Sequence, residues 1–355
     1  MNENEFIEMQ KKFSVLNAKL ENSATIKDCF HHKKEECIAP IKNAHSLQRQ
    51  GALLQLEKVV KENAFLYSHS ERMHNKEGGF LDLKPIGRKS ASTFFGFCDY
   101  HDTKLFSKIE NNPEITNINN DEHCFLHSYR SFAHSYHRKH EQLKLYESKD
   151  PETIKLLLEI HGESKLSYLK EYVSMALNDL KKPKAKMDYW IENSIYDELE
   201  YLAYEFPHKI PVACAAITSP PYLYSGKKIN ISQDPDYVYS NIITTVIPFS
   251  DRSIIILAAF PNEPYGVDYL DEIDQIKFEL LREKYLSYHI MNNAENCYLS
   301  PYFYDAKDLN GKRNYCHMIN YVASNDTPYM GFNKHFPINY FSKYSSIKTC
   351  KTPKT

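Results

Sequence analysis

Glycine is scarce in this chain, with 10 in 355 residues, and tryptophan occurs once, whereas tyrosine occurs 27 times. That bias, shared with an abundance of Asn, Ile and Lys, reads as coding composition and carries no functional signal. An excess of charge of one sign is also missing: 44 Lys and Arg against 46 Asp and Glu leave a formal charge of −2. The balance argues against a generic polyanion binder and leaves room only for a local basic patch. No long hydrophobic run occurs. The longest, Ser253 to Phe260, has the length of a strand and falls far short of the roughly 20 residues that span a membrane. The amino terminus, Met1-Asn2-Glu3-Asn4-Glu5-Phe6, is acidic and lacks the basic and apolar regions of a secretory signal. Eight cysteines are scattered without framework spacing, in a chain too large to need disulfide staples. A reducing cytoplasm and no membrane contact are therefore expected. Neither a G-x-x-x-x-G-K-[ST] phosphate cradle nor a G-x-S-x-G nucleophile elbow is present.

What is present is the composition of a soluble globular chain, 42% apolar and 25% charged. Its length suggests two domains, or one with a large elaboration. The pattern predicts an α+β protein: a helix-rich, zinc-stabilised amino-terminal part followed by a small antiparallel sheet packed by a long helix. The expected divisions are a metal-binding module over 1–150, a helical hairpin over 151–206, an α+β domain over 207–342 and a loose basic tail over 343–355. Within them, apolar spacing predicts helices over 46–62, from His101 to about Glu110, and over 121–146. A helical pair over 152–181 and 186–205 is expected to turn at Pro183. Short strands are expected over 64–67 and 93–97, with a loop over 77–92 between them. Further strands are expected over 211–218, 237–249 and 252–260, then a helix over 267–291.

The residues that offer chemistry fall into three groups. Cys37 with His45, and Cys98 with His101, supply two thiolates and two imidazoles, a closed tetrahedral set for one structural zinc ion. The Cys98-Asp-Tyr-His101 spacing lets one turn deliver two ligands, whereas seven residues separate Cys37 from His45. The plainer alternative makes Cys37 a buried thiol and His45 a hydrogen-bonding residue, and Cys29-Phe30-His31-His32 offers substitute ligands. The second group is the stripe His123, His127, Arg130, His134, His137 and Glu141, opposite an apolar face on the 121–146 helix. Arg130, His134 and His137, joined by Asp102 and Glu110, form a candidate catalytic cluster for metal-assisted phosphodiester hydrolysis, with Arg130 holding the anion. A solvated polar face is the favoured alternative. Third, Arg88 and Lys89 lie in a basic loop, Lys84 to Ser90, that is suited to a phosphate or nucleic-acid contact if it is more than a solvated turn.

The segments Cys37 to Gln48, Ile86 to Phe94 and Gly96-Phe97-Cys98-Asp99-Tyr100-His101-Asp102, with Leu105 to Glu110 and Tyr129-Arg130, resemble a group of uncharacterised bacterial proteins that share them. The resemblance implies that the two Cys and His pairs belong to one module and directs attention to Asp102, Glu110 and Arg130. More loosely, the Cys and His scaffold is similar to zinc-stabilised HNH nucleases, although the Asp-His hairpin and Asn-x-x-His helix of that family are missing. The expectation from the sequence is a cytoplasmic bacterial zinc-binding protein, an interaction factor for nucleic acid or protein in stress or phage defence. Its rival is a metal-dependent phosphodiesterase or nuclease built on the His134, His137, Asp102 and Glu110 cluster.

Overall fold

The structure, a computed structural model, describes residues 19–20, 22–110, 116–230, 237–292, 294–324, 328–329, 336–341 and 348–351. The chain is α+β, as its pattern predicts, but its sheet is large rather than small. Nine antiparallel strands run in the order β11-β6-β9-β8-β7-β10-β3-β2, with β4 paired to β3. They are β2 (Lys58–Val60), β3 (Asn63–Asn75), β4 (Phe80–Gly87), β6 (Glu200–Phe206), β7 (Val212–Thr218), β8 (Ile242–Pro248), β9 (Ser253–Ala259), β10 (Cys297–Leu299) and β11 (Lys348–Lys351). A separate two-stranded ribbon pairs β1 (Ile41–His45) with β5 (Thr93–Cys98).

The uniform apolar character of residues 242–248 and 253–259 has a direct cause: every residue of β8 and β9 is buried. A strand covered on both faces has no reason to alternate with polar residues. Ile243, Ile254, Ile256 and Ala258 point to one core with Phe125, Tyr129 and Phe132. Ile242, Ile255, Leu257 and Ala259 point to the other, with Tyr269, Leu270 and Leu286. The first face is covered by a long helix, α3 (Asp121–Tyr146), which begins where the Asn120 side chain accepts from the backbone N–H groups of Glu122 and His123. The second is covered by helices over Gly266–Asp274 and Glu279–Asn292, so the single helix expected over 267–291 is two.

Several local expectations give way to packing. The region 46–62 holds only a short helix, α1 (Ala52–Leu56), before β2. The β2–β3 hairpin turns at Lys61 and Glu62, both at positive φ. That turn normally advertises itself with Asn-Gly, and its absence hid the hairpin. Residues 80–87, expected as loop, form β4 against β3, where an edge position tolerates Pro85 without its N–H. The helical pair turns at Gly162, φ 73°, between helices over Pro151–His161 and Glu163–Glu192. Pro183 lies inside the second of these, its lost hydrogen bond offset by burial of Leu180, Met187, Trp190 and Ile191. Leu199 and Leu202, assigned to a helix by their spacing, precede and join β6. The sheet also crosses the expected divisions at 150 and 206, because β2 to β4 and β6 to β9 share it through β10. In the tail, Lys348–Lys351 pairs with β6 rather than hanging loose, while 343–347 and 352–355 lie outside the described residues.

Candidate metal centre

The β5 strand ends at Cys98 and passes directly into a helix, α2 (Asp99–Glu110). Helical spacing places His101 one turn on, so its imidazole returns to the strand end. Cys98 Sγ lies 3.2 Å from His101 Nδ1, and the His101 N–H donates to that sulfur at 3.4 Å. A preceding segment runs along β5: the Asp28 and Phe30 N–H groups donate to the carbonyls of Phe95 and Gly96. Phe30 is pinned edge-on against Tyr129, with ring centroids 5.3 Å apart. This fixes Cys29 beside Cys98, whose N–H donates to Cys29 Sγ at 3.4 Å. A single tight turn, Lys34–Glu36, reverses the chain and delivers Cys37.

The four groups Cys29, Cys37, Cys98 and His101 have their ligand atoms within 4.8 Å of one another. The three sulfurs lie 3.5, 3.6 and 3.2 Å from His101 Nδ1. For a tetrahedral zinc with Zn–S of about 2.3 Å and Zn–N of about 2.0–2.1 Å, the sulfur to nitrogen edge is about 3.5 Å. The residues present therefore fit a metal ion in both spacing and chemistry. The outer side of His101 fits as well, since Nε2 faces Glu36 Oε2 at 3.7 Å and Glu36 is tied to Lys104 at 3.3 Å. A carboxylate behind a ligating imidazole fixes its orientation. His31 stacks on the same ring, with centroids 4.0 Å apart and planes 14° from parallel.

Electrostatics point the same way. Burial pushes the Cys29 thiol above its ordinary value against backbone hydrogen bonds that lower it. Burial and the neighbouring Cys29 raise Cys37 to about 12. His101 is lowered by burial, opposed by Glu36. Cys29 and Cys37 therefore hold their protons here on their own, whereas a divalent cation would reverse that preference by supplying the missing positive charge.

One expected ligand is replaced. His45 is not in the group; its Nδ1 donates to the Ala91 carbonyl at 2.9 Å. The reason lies in the ribbon register, which places Ile41 opposite Cys98 but His45 opposite Thr93. Four steps along a strand separate the two ends by about 13 Å, too far for one ion. The signal for Cys29 was present in the Cys29-Phe30-His31-His32 tract, but its pairing with β5 is a tertiary contact that spacing cannot reveal.

The expected catalytic residues form two groups instead of one. Arg130 Nη2 lies 2.6 Å from Glu110 Oε1 and 3.4 Å from Asp102 Oδ1, and Lys42 approaches Asp102 at 3.9 Å. The guanidinium also covers Phe106 at 4.2 Å. Burial raises the Asp102 carboxyl, with Arg130 opposing the shift. His134 and His137 instead meet Phe94 edge-on at 5.1 and 5.6 Å. His137 Nε2 reaches Glu141 at 3.3 Å, and burial drives His134 far below its ordinary value, keeping it neutral. Arg130, His134, His137 and Glu141 are all buried, so this part of the stripe is not a solvated face, while His123 and His127 are half-buried. The β1–β5 ribbon and α2 cover it. Arg130 and His127 also line a narrow pocket of about 10 Å³, room for about one water.

In the basic loop, Arg88 Nε is held by Glu57 at 2.9 Å, while Lys89 is exposed. Among the described residues, no helix is long and apolar enough to cross a membrane. No protein-family model, curated protein or solved structure matches the chain.

Proposed function

We propose that this is a zinc-binding protein whose ion is structural, held by Cys29, Cys37, Cys98 and His101, and that it acts by binding a partner rather than by turnover at the metal. The observation that carries this reading is the agreement of the three sulfur to Nδ1 separations, 3.2–3.6 Å, with the edges of a zinc tetrahedron. Four side chains complete the coordination, whereas a catalytic zinc keeps a position for water or substrate. When bound, the ion would supply the charge that keeps the three thiols, two of them buried, deprotonated. The chain's own residues do the rest: Cys29 brings in the segment beside β5, Cys37 the turn before β1, and Cys98 with His101 the junction of β5 and α2.

A protein partner is favoured over nucleic acid by the outer helices, which expose Ile154, Leu158, Tyr168, Tyr172 and Met175. Exposed apolar side chains suit protein contacts rather than phosphate contacts, and Arg88 of the basic loop is already engaged by Glu57. The phosphodiesterase reading draws less support, since Asp102, Glu110 and Arg130 are ion-paired together while His134 and His137 pack around Phe94.

Metal analysis of the purified chain tests the proposal. We expect one zinc per chain, lost in Cys29→Ser and Cys98→Ser and retained in His45→Ala. Full zinc occupancy in Cys29→Ser, or its loss in His45→Ala, would overturn the ligand set.

A further inference from the structure

Outside the metal centre lie, among others, Cys124, Cys214, Cys297 and Cys316. Two of them face each other. Cys214 on β7 and Cys297 on β10 are directly opposite in antiparallel register, at the end of a ladder continued by the pairs Ala213 with Tyr298 and Val212 with Leu299. Both belong to the same core, so both side chains leave the same face of the sheet. Directly opposed residues of an antiparallel pair have Cα atoms about 4.5–5.5 Å apart, inside the range of about 4.4–6.8 Å that a disulfide bridges. We propose that Cys214 and Cys297 are a site of reversible oxidative modification, at which hydrogen peroxide converts the facing thiols to a cross-strand disulfide.

The position gives the bond a consequence. β10 has three residues and lies between β7 and β3. It is the strand through which the block β6, β9, β8 and β7 joins β3 and its partners β2 and β4. A covalent bond at Cys297 fastens that joint and closes a loop of more than eighty residues. The chemistry balances as follows. One thiol, as thiolate, attacks a peroxide oxygen and breaks the O–O bond, giving a sulfenic acid and hydroxide, which takes up the released proton as water. The second sulfur then displaces hydroxide from the sulfenic sulfur, forming S–S, and its proton leaves in a second water. Two thiols are oxidised and one peroxide is reduced. Both residues are fully buried, and burial with the neighbouring thiol holds Cys297 well above its ordinary value. Reaction therefore requires opening of β10, which is buried and paired on both sides by β7 and β3. The oxidation is slow, and a dithiol reductant reverses it.

The test uses the zinc-loaded full chain exposed to hydrogen peroxide, quenched by alkylation under denaturing conditions and digested without reductant for mass spectrometry. A peptide pair joined through Cys214 and Cys297, lighter by two hydrogens and abolished by dithiothreitol, is expected. The thermal midpoint of the oxidised chain is expected to rise by roughly 5 °C, as closing a long loop predicts, and to return on reduction. Cys297→Ala should show neither change. Complete alkylation of both cysteines after peroxide treatment, sulfinic acid at either without a link, or linkage to Cys124 or Cys316 instead, each overturns the proposal. The peptide map of the wild-type chain decides the matter even if Cys297→Ala fails to fold.

Discussion

His101 at the metal centre and His289 in the sheet core are both buried, yet their surroundings satisfy them by different means. His289 has a partner at each ring nitrogen: Thr244 Oγ1 at 2.7 Å from Nε2 and the Tyr269 hydroxyl at 2.8 Å from Nδ1. Burial lowers it to about 3, so it stays neutral and links β8 to the two covering helices with no ion. His101 instead presents Nδ1 to three sulfurs and Nε2 to Glu36. The surrounding apolar cover differs too. The sheet core stacks continuous apolar strands between helices, while the metal centre ties together a loop, a tight turn and one strand end. A region with little regular structure of its own gains most from a cross-link, and a region built on a large sheet gains least.

Metal removal is the harshest way to break that contrast. Chelation, or Cys98→Ser, is expected to cost more than about 3 kcal/mol of unfolding free energy in urea. Hydrogen exchange should speed up around residues 28–45 and 93–105 while β8 and β9 stay protected. Uniform loss of protection across the sheet, or a change below about 1 kcal/mol, would mean that the two regions are not distinct.

A smaller effect comes from the core histidine. His289→Leu leaves the Thr244 and Tyr269 hydroxyls without their buried partner and should cost about 1–3 kcal/mol, with zinc content unchanged. The same variant sharpens the contrast in pH. The folded-state value of His289 is depressed below that of the unfolded chain, so its contribution is present above about pH 6.5 and declines as pH falls toward about 3. Between those limits the wild type should lose stability on acidification more steeply than His289→Leu when both are measured without metal. Parallel slopes would show that His289 does not carry this dependence.

The mildest perturbation touches the helix that serves both regions. Asn120→Ala removes the cap at the start of α3 and should cost about 1 kcal/mol in chemical denaturation, leaving metal content and the pH slope as they were. A cost near zero would show that the sheet and ribbon, not the cap, fix where this helix begins.

Some of this was legible in the residues. The 121–146 helix was readable from its apolar period, and β8 with β9 from two apolar runs around Ser250-Asp251. Cys37, Cys98 and His101 were identifiable as candidate ligands from their residue types and the short Cys98 to His101 spacing, and the structure brings them together. The Lys61-Glu62 turn, β4 and the passage of a helix through Pro183 were not legible, since each violates a local preference that long-range packing outweighs. His45 was expected in the candidate set and Cys29 stands there instead for the same reason: which residue joins Cys98 depends on what lies beside β5.

By itself the sequence determined the α+β class, the buried central strands, the strand-to-helix junction at Cys98 and His101, and the supply of thiols and imidazoles. Those follow from periodicity and short spacing, which act within one or two turns of chain. Only the tertiary structure decided that Cys29 displaces His45, that Arg130 pairs with Asp102 and Glu110 apart from His134 and His137, and that Cys214 meets Cys297. These are contacts between segments far apart in sequence, set by strand register and by the burial of both faces of one sheet, which no local pattern encodes.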